Sequence, residues 1–226
     1  MSVRNDSNIE NEIKLDLLTS FNLELLLDKF GNPIDKIRQF NYFFDTRDMR
    51  LNKSGWALRV RIEERDSAKS IARVTAKGKS TQIESIASRP EYEEEIPLES
   101  ANAIVAGSLD FTELKLKTLE VLSEFFGSDK LIPLLSFENY RWIFPYVSES
   151  DKPESYELEL ALDKTSFGDG HIDYELELEG RDPEFLISVE KSMRNLFEKI
   201  ETPFIPQRVS KFERAMNRLK LHSSPL

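Results

Sequence analysis

A chain of 226 residues, 39% hydrophobic and carrying 15 Phe, has enough apolar material for a proper core and is not a disordered acidic polymer. With 41 Asp and Glu against 31 Lys and Arg the net charge is −10, which argues against broad binding to nucleic acid or an anionic membrane, because both need a positive footprint. The absence of Cys and the presence of only 2 His exclude disulfides, thiolate catalysis, iron–sulfur clusters and Cys-ligated zinc, and leave site chemistry to carboxylates, Lys, Arg and the metals they can hold.

Segments in which charged and apolar residues alternate with period two predict strands with one polar and one apolar face. The first spans 9–15 and puts Glu10, Glu12 and Lys14 on one face. A helix is expected over 20–30, stopped by Gly31. Tyr42, Phe43 and Phe44 read as packing residues at a strand end, and Gly55 and Trp56 as a turn and a core anchor. Residues 57–62 place Arg59 and Arg61 opposite Leu58, Val60 and Ile62, and 71–77 repeat the arrangement with Arg73, Thr75 and Lys77. An acidic strand covers 91–96. Helical spacing of apolar residues follows over 100–107 and 111–126, ending at Gly127.

The spacing then predicts a strand over 139–145 carrying Arg141, a polar loop over 149–153, and two acidic strands over 156–163 and 174–179. Asp182 and Pro183 open a helix to about Ile200, as N-cap and first helical position. Ser210 caps a last helix to about Leu221. No repeat, long linker or low-complexity tract divides the chain, so residues 1–226 are expected to form one domain. With no signal-peptide pattern and no run of about 18 apolar residues, a cytoplasmic protein is expected.

On an ordinary antiparallel sheet the polar face is solvated and mixes its charges. Here the signs segregate by strand. Arg59, Arg61, Arg73 and Lys77 form basic rows, while Glu157, Glu159, Asp163, Glu175, Glu177 and Glu179 form acidic ones. Helices covering the apolar face would let the sheet curl with its charged face inward, so that the two kinds of wall confront one another across a lumen. A solvated charged face is the other arrangement the pattern allows.

The order of short motifs resembles the CYTH superfamily, the triphosphate tunnel metalloenzymes. Glu10-Asn11-Glu12-Ile13-Lys14 is similar to its ExExK signature, Tyr42 to Thr46 to YFDT, Leu58 to Arg61 to LRxR, Thr75 to Gly78 to TxK(G), and Arg89 to Glu93 to RxExE. Arg141, the pair Leu162-Asp163 with Phe167-Gly168, the run Glu175 to Glu179, and Ser210-Lys211-Phe212 follow in register, so the resemblance covers about residues 9–213. It implies an α+β fold, an eight-stranded antiparallel β-barrel forming a triphosphate tunnel with helices packed outside, and a need for a divalent cation.

The resemblance also distributes roles. Lys14, Arg59, Arg61, Lys77, Arg89, Arg141 and Lys211 are the expected substrate-binding cations, since several fixed charges are needed for a triphosphate and the planar fork of Arg binds its oxygens bidentately. Glu10, Glu12, Asp163, Glu175 and Glu177 are the expected ligands of Mg²⁺ or Mn²⁺, hard ions that prefer carboxylate oxygen; Glu179 shares their parity, which leaves open the two of the three that lie deepest. Glu10, Glu12, Lys14 and Lys77 are the expected catalytic set. Glu91, Glu93, Glu157 and Glu159 are expected to line the lumen and orient cations, Arg73 lies outside the motif, and neither His171 nor His222 is given a role.

The function this implies is metal-assisted attack of water on the terminal phosphorus of a small-molecule triphosphate, inorganic tripolyphosphate or an organic one such as thiamine triphosphate. No nucleic acid or membrane partner is expected, and the protein is taken as monomer or homodimer. A class IV adenylyl cyclase and a non-catalytic polyphosphate- or nucleotide-binding module are the alternatives. The helical insertion at roughly 100–127 resembles the longer hydrolase-like members; Trp56, Trp142 and Phe144 read first as apolar packing, and are the rings that could otherwise stack on an organic half. Carboxylates facing one cavity are expected to repel one another without a cation, so Glu177→Gln is expected to leave the metal-free fold as stable as before or more so.

Overall fold

A computed structural model describes residues 9–66, 68–146 and 158–223. Its strands are β1 (Ile9–Asp16), β2 (Asp35–Asp45), β3 (Ala57–Arg65), β4 (Ile71–Lys77), β5 (Thr81–Ile83), β6 (Ile86–Ile96), β7 (Ile132–Phe144), β8 (Leu158–Ser166), β9 (Ile172–Gly180) and β10 (Ile205–Pro206). They pair in the order β10-β1-β9-β8-β7-β2-β3-β4-β6-β5. A further antiparallel pairing of β1 with β6, in which Glu10 faces Arg89 and Glu12 faces Ala87, closes eight of these strands into a barrel. Closure leaves no long unpaired edge, and β5 and β10 only lengthen the ladders of β6 and β1.

The helices are α1 (Ser20–Phe30), α2 (Arg50–Lys53), α3 (Leu98–Val105), α4 (Lys117–Glu120), α5 (Ser123–Phe126), α6 (Pro183–Lys199) and α7 (Lys211–Ser223). They pack on the outer face of the barrel because every apolar row of the alternating strands points there. Leu23 and Leu26 of α1, with Leu186, Val189, Met193 and Phe197 of α6, bury Ile13, Leu15, Leu160, Leu162, Leu176 and Leu178. Ala101 and Ile104 of α3, with Leu119, Leu122 and Phe126, bury Leu58, Val60, Ala72, Val74, Ala76 and Ile96. Each fully buried Leu, Val or Ile removed from water contributes about 1.5–3 kcal/mol, so the two covers hold the sheet with its charged face inward. Among the described residues no helix is long and apolar enough to cross a membrane.

The local signals act as the chain pattern suggests. Thr19 caps α1 and Gly31 ends it at φ 76°; the side chain of Asp182 accepts from the backbone N–H of Glu184 and Phe185 ahead of Pro183; and Ser210 and Glu213 cap α7 reciprocally. Gly78 permits a close approach, since a Cβ there would stand 3.2 Å from Trp56 and 3.3 Å from the Pro90 ring. The turn after β2 is built on the buried Asp45, whose carboxylate accepts from the N–H groups of Thr46, Leu51 and Asn52.

Three expectations are corrected. Residues 111–126 are not one helix but a 3₁₀ turn at Phe111–Glu113 followed by α4 and α5. Leu114 and Leu116 are extended there and pack toward the apolar face of the sheet, while Glu94 accepts from both the N–H and the hydroxyl of Thr118. Second, β6 starts at Ile86 rather than 91, whereas Tyr42 to Phe44 do lie at a strand end, the last residues of β2 before Asp45. Third, β7 starts at Ile132 rather than 139, and its Pro133, which cannot donate to the ladder, coincides with a register shift at Phe43 and Phe44. The loop expected over 149–153 and the start of β8 at Tyr156, with Glu157, lie outside the described residues.

Candidate functional site

Because the apolar residues of β1 face the helices, Glu10, Glu12 and Lys14 face inward, and the same parity turns Arg59, Arg61, Glu63 and Arg65 inward from β3. Arg73, Thr75 and Lys77 enter from β4, Arg89, Glu91 and Glu93 from β6, Asn139 and Arg141 from β7, Glu159, Asp163 and Thr165 from β8, and Glu175, Glu177 and Glu179 from β9. The expected cations and metal ligands on the strands therefore share one lumen, which Lys211 enters from α7, while Glu157 lies outside the described residues. Glu175 and Glu177 are its deeply buried pair, and Glu179 is less so.

One end of that lumen is closed. Phe43 and Phe137 point inward and meet Phe212 and Ala215 of α7, with the Phe43 and Phe212 ring centroids 4.7 Å apart. The other end is where Glu93 and Glu159 keep more than a third of their side-chain surface exposed.

Inside, the charges form three ion-pair groups. In the first, Glu10 accepts from Lys77 Nζ at 2.7 Å and Arg89 Nε at 2.6 Å, and Glu12 from Arg89 Nη2 at 2.9 Å and Lys14 Nζ at 2.6 Å. Burial pushes the Glu10 carboxyl up, but Lys77 and Arg89 outweigh it and hold the group well below the usual carboxylate range. In the second, Arg141 forks onto Asp163 at 2.9 and 2.7 Å and also reaches Glu159 and Glu177. Lys211, at the start of α7, reaches Asp163 and Glu177. Asp163 and Glu177 are again pushed up by burial and pulled below their ordinary values by these two cations. Arg214, which the sequence reading did not single out, binds Glu175 through two nitrogens at 3.0 and 2.8 Å.

The third group lies on the basic wall. Glu63 is buried between Arg65 at 2.8 Å and Arg73 at 3.0 Å, which gives Arg73 a structural partner. Arg59 donates through Nη2 to Thr75 Oγ1 at 3.1 Å, and its Nε, fully buried, has no hydrogen-bond partner. Burial, then the neighbouring Arg61, pushes its value down to about 10. A buried, under-partnered guanidinium is a cation waiting for an anion.

Period-two charge alternation could not find Gln39, Asn41, Asn139 or Thr165, all of them buried, whereas the buried Glu63 continues the parity of Arg59 and Arg61 just beyond the strand read to Ile62. On β2 the charged Lys36 and Arg38 face outward and the neutral Gln39 and Asn41 inward, which reverses the signal used elsewhere. Asn139 Nδ2 donates to Gln39 Oε1 at 3.0 Å and Asp163 Oδ1 at 3.1 Å, and Thr165 donates to Asn139 Oδ1 at 2.8 Å. His171 is exposed, with its ring against Asp173 and its backbone N–H donating to Asp169, and the side chain of His222 lies outside the described residues.

The expected metal ligands are brought into one lumen but not into one cluster. Glu10 and Glu12 belong to the first group, Asp163, Glu175 and Glu177 to the second. The donor chemistry of the second group fits a hard cation, because Asp163 Oδ2, Glu175 Oε2 and Glu177 Oε1 already surround the Lys211 ammonium at 2.8, 2.9 and 2.6 Å. The spacing is that of an ammonium: among the described residues no three such side chains stand close enough to hold a metal ion, and Mg²⁺ would draw its oxygens in to about 2.1 Å.

Burial pushes the Glu179 carboxyl up to about 8, with Glu10 and Glu91 adding to it, and burial pushes Glu91 up to about 7. A raised value means that the folded protein holds protons the unfolded chain has released, so these two groups cost stability as pH rises from the ordinary carboxylate value toward 8, and no more beyond it. Melting of the metal-free protein in EDTA is expected to drop between about pH 5 and pH 8, and Glu179→Gln to flatten that slope. A wild-type profile that is flat over this range, or a variant with the same slope, contradicts the placement of Glu179.

Comparison with known proteins agrees with this geometry. The CYTH domain family profile matches residues 8–215. Among solved structures, the Hippeastrum protein HpAC1, described as an adenylyl cyclase candidate with a dominant triphosphatase activity, is 25% identical with a TM-score of 0.79, covering 92% of this chain and 96% of its own. An adenylate cyclase candidate from Bacillus halodurans is 20% identical with a TM-score of 0.65, covering 92% of this chain and 98% of its own. PH1819 from Pyrococcus horikoshii OT3 is 16% identical with a TM-score of 0.58 over 92% and 99%; at these lower identities the likeness is one of fold. No curated protein matches the sequence.

Proposed function

The chain belongs to the CYTH family, and on that premise we propose that it is a divalent-metal-dependent triphosphatase acting on inorganic tripolyphosphate to give diphosphate and phosphate. The observation that carries the choice of substrate is the chemistry of the inward faces. They offer rows of cations to a polyanion and, among the described residues, no aromatic ring to an organic half. Trp142 and Phe144 pack outside against the cover of α1 and α6, Trp56 packs outside against Tyr92 and Phe125, and the inward rings Phe43 and Phe137 are sealed under α7.

In this reading Arg59 and Arg61 take phosphoryl oxygens, with Lys14, Lys77, Arg89, Arg141 and Lys211 around them. Water attacks the terminal phosphorus, its proton passes to an inward carboxylate, and the basic wall offsets the charge that builds on the leaving diphosphate. Asp163, Glu175 and Glu177, with Glu10 and Glu12, would hold Mg²⁺ or Mn²⁺, which when bound polarises phosphoryl oxygens. Lys211 would then exchange its carboxylates for the substrate. The partner is a small-molecule triphosphate, met in the cytoplasm by a monomer or homodimer, without nucleic acid or membrane. The dominant triphosphatase activity described for the Hippeastrum protein supports hydrolysis.

The test is a panel of tripolyphosphate, thiamine triphosphate and ATP with Mg²⁺ or Mn²⁺, reading phosphate and cyclic AMP together. Tripolyphosphate is expected to give the highest kcat/KM, with activity lost in EDTA and restored by metal. Cyclic AMP as the main product would make the protein a cyclase, tight binding without turnover a binding module, and turnover in EDTA would exclude the metal.

A further inference from the structure

The cations of the lumen divide by what they touch. Lys14, Lys77, Arg89, Arg141 and Lys211 each meet a carboxylate oxygen at 2.9 Å or less. Arg59 and Arg61 do not. Their nearest carboxylates are Glu93 at 3.7 Å and Glu63 at 3.8 Å, and the groups that hold them are neutral: Thr75 Oγ1 for Arg59 and Asn41 Oδ1 for Arg61, the latter accepting from Nε at 2.8 Å.

We propose that Asn41 is a positioning residue for anion binding, whose neutral amide oxygen holds the Arg61 guanidinium by its Nε edge, so that at the Nη edge a phosphoryl group competes only with the looser Glu63 contact at 3.8 Å. The inference rests on the reading of Arg61 as a substrate cation. Three observations support it. Asn41 stands directly opposite Arg61 in the β2–β3 register, so the contact is set by backbone pairing rather than by a mobile side chain. It is 1% exposed, and its Nδ2 donates to the Gln39 carbonyl at 3.3 Å, which turns Oδ1 toward Arg61.

The third observation is that the neighbouring arginine is treated alike. Thr75 Oγ1 accepts from Arg59 and donates to Glu93 at 3.0 Å, so a hydroxyl stands where a direct ion pair would otherwise form. A carboxylate at position 41 would also accept from Arg61 Nε, though without the Nδ2 bond to the Gln39 carbonyl, but a phosphate would then have to compete with a fixed anion at short range, where the interaction is least screened. A neutral acceptor supplies the orientation without the competition.

The deciding variant is Asn41→Asp, which keeps the shape and adds the charge, followed with Mg²⁺ and tripolyphosphate. KM is expected to rise by about tenfold or more, the weight of one charge-assisted hydrogen bond, with a far smaller change in kcat. Asn41→Ala, which removes the hold but adds no charge, is expected to raise KM less. A folded Asn41→Asp with wild-type KM overturns the proposal. So does wild-type KM in Asn41→Ala, which decides the matter if Asn41→Asp does not fold. A wild-type protein that neither binds nor turns over tripolyphosphate overturns both this inference and the function it rests on.

Discussion

Arg59→Met is expected to raise the KM for tripolyphosphate by about 10- to 150-fold, the equivalent of the roughly 1.5–3 kcal/mol that a hydrogen bond to a charged group carries, while the metal-free protein melts close to the wild type. The two halves have one cause. Arg59 is buried, and its close partner is a hydroxyl rather than a carboxylate; its Nε donates to nothing, and burial has already pushed its value down to about 10. The folded protein thus gains little from the charge, and Met fills a similar length of apolar stem. The substrate gains most, because the guanidinium faces it already desolvated. Steady-state kinetics and a melting curve on one preparation check both halves. A variant that unfolds while its surviving fraction keeps the wild-type KM would show that Arg59 serves the fold.

Glu177→Gln is expected to lower kcat and to destabilise the metal-free protein, by about 3–5 kcal/mol if the loss is that of one partner from a buried ion-pair group. At about 2–4 °C per kcal/mol for a chain of this size, the melting temperature is the direct measure. This reverses the expectation drawn from the sequence, in which facing carboxylates repel one another. The structure intersperses them with cations: Glu177 lies against Arg141 and accepts from Lys211 at 2.6 Å. Burial raises its value, and Lys211 and Arg141 bring it well below the carboxylate range. A depressed folded value contributes stability that is present above the ordinary carboxylate value and lost as pH falls through the folded one. The gap between wild type and variant is therefore expected to be wide at neutral pH and to close in acid. An equal or higher melting temperature for Glu177→Gln at pH 7 would falsify the pairing.

Much of this molecule is legible without coordinates. The alternation in 9–15, 57–62, 71–77 and 174–179 assigns each side chain to one of two faces, and the segregated signs mark the inward one. The caps at Asp182 and Ser210 and the stop at Gly31 lie where the structure has them. These are local properties, set by the two-residue period of a strand and by the unsatisfied N–H groups of a helix end. What failed locally is instructive too. Over 111–126 apolar residues recur at helical spacing, yet Leu114 and Leu116 are extended and turned to the sheet, because burial against β4 and β6 outweighs helix propensity, which is a weak prior.

The sequence by itself determined which residues share the charged face and which strands carry which sign, and closure of the barrel is what makes the basic and acidic rows meet. Only the tertiary structure decided which charge meets which. The β1–β6 pairing brings Glu10 to Arg89, and α7 carries Lys211 to Asp163, Glu175 and Glu177 from 34 to 48 positions along the chain. It also decided that Asn41 and Thr75, neutral residues with no charge pattern to announce them, hold the two least neutralised cations of the lumen. The reason is physical: parity within a strand follows from backbone geometry over a few residues, whereas a partner across a barrel depends on strand order, register and closure, and those are set by burying the whole outer face at once.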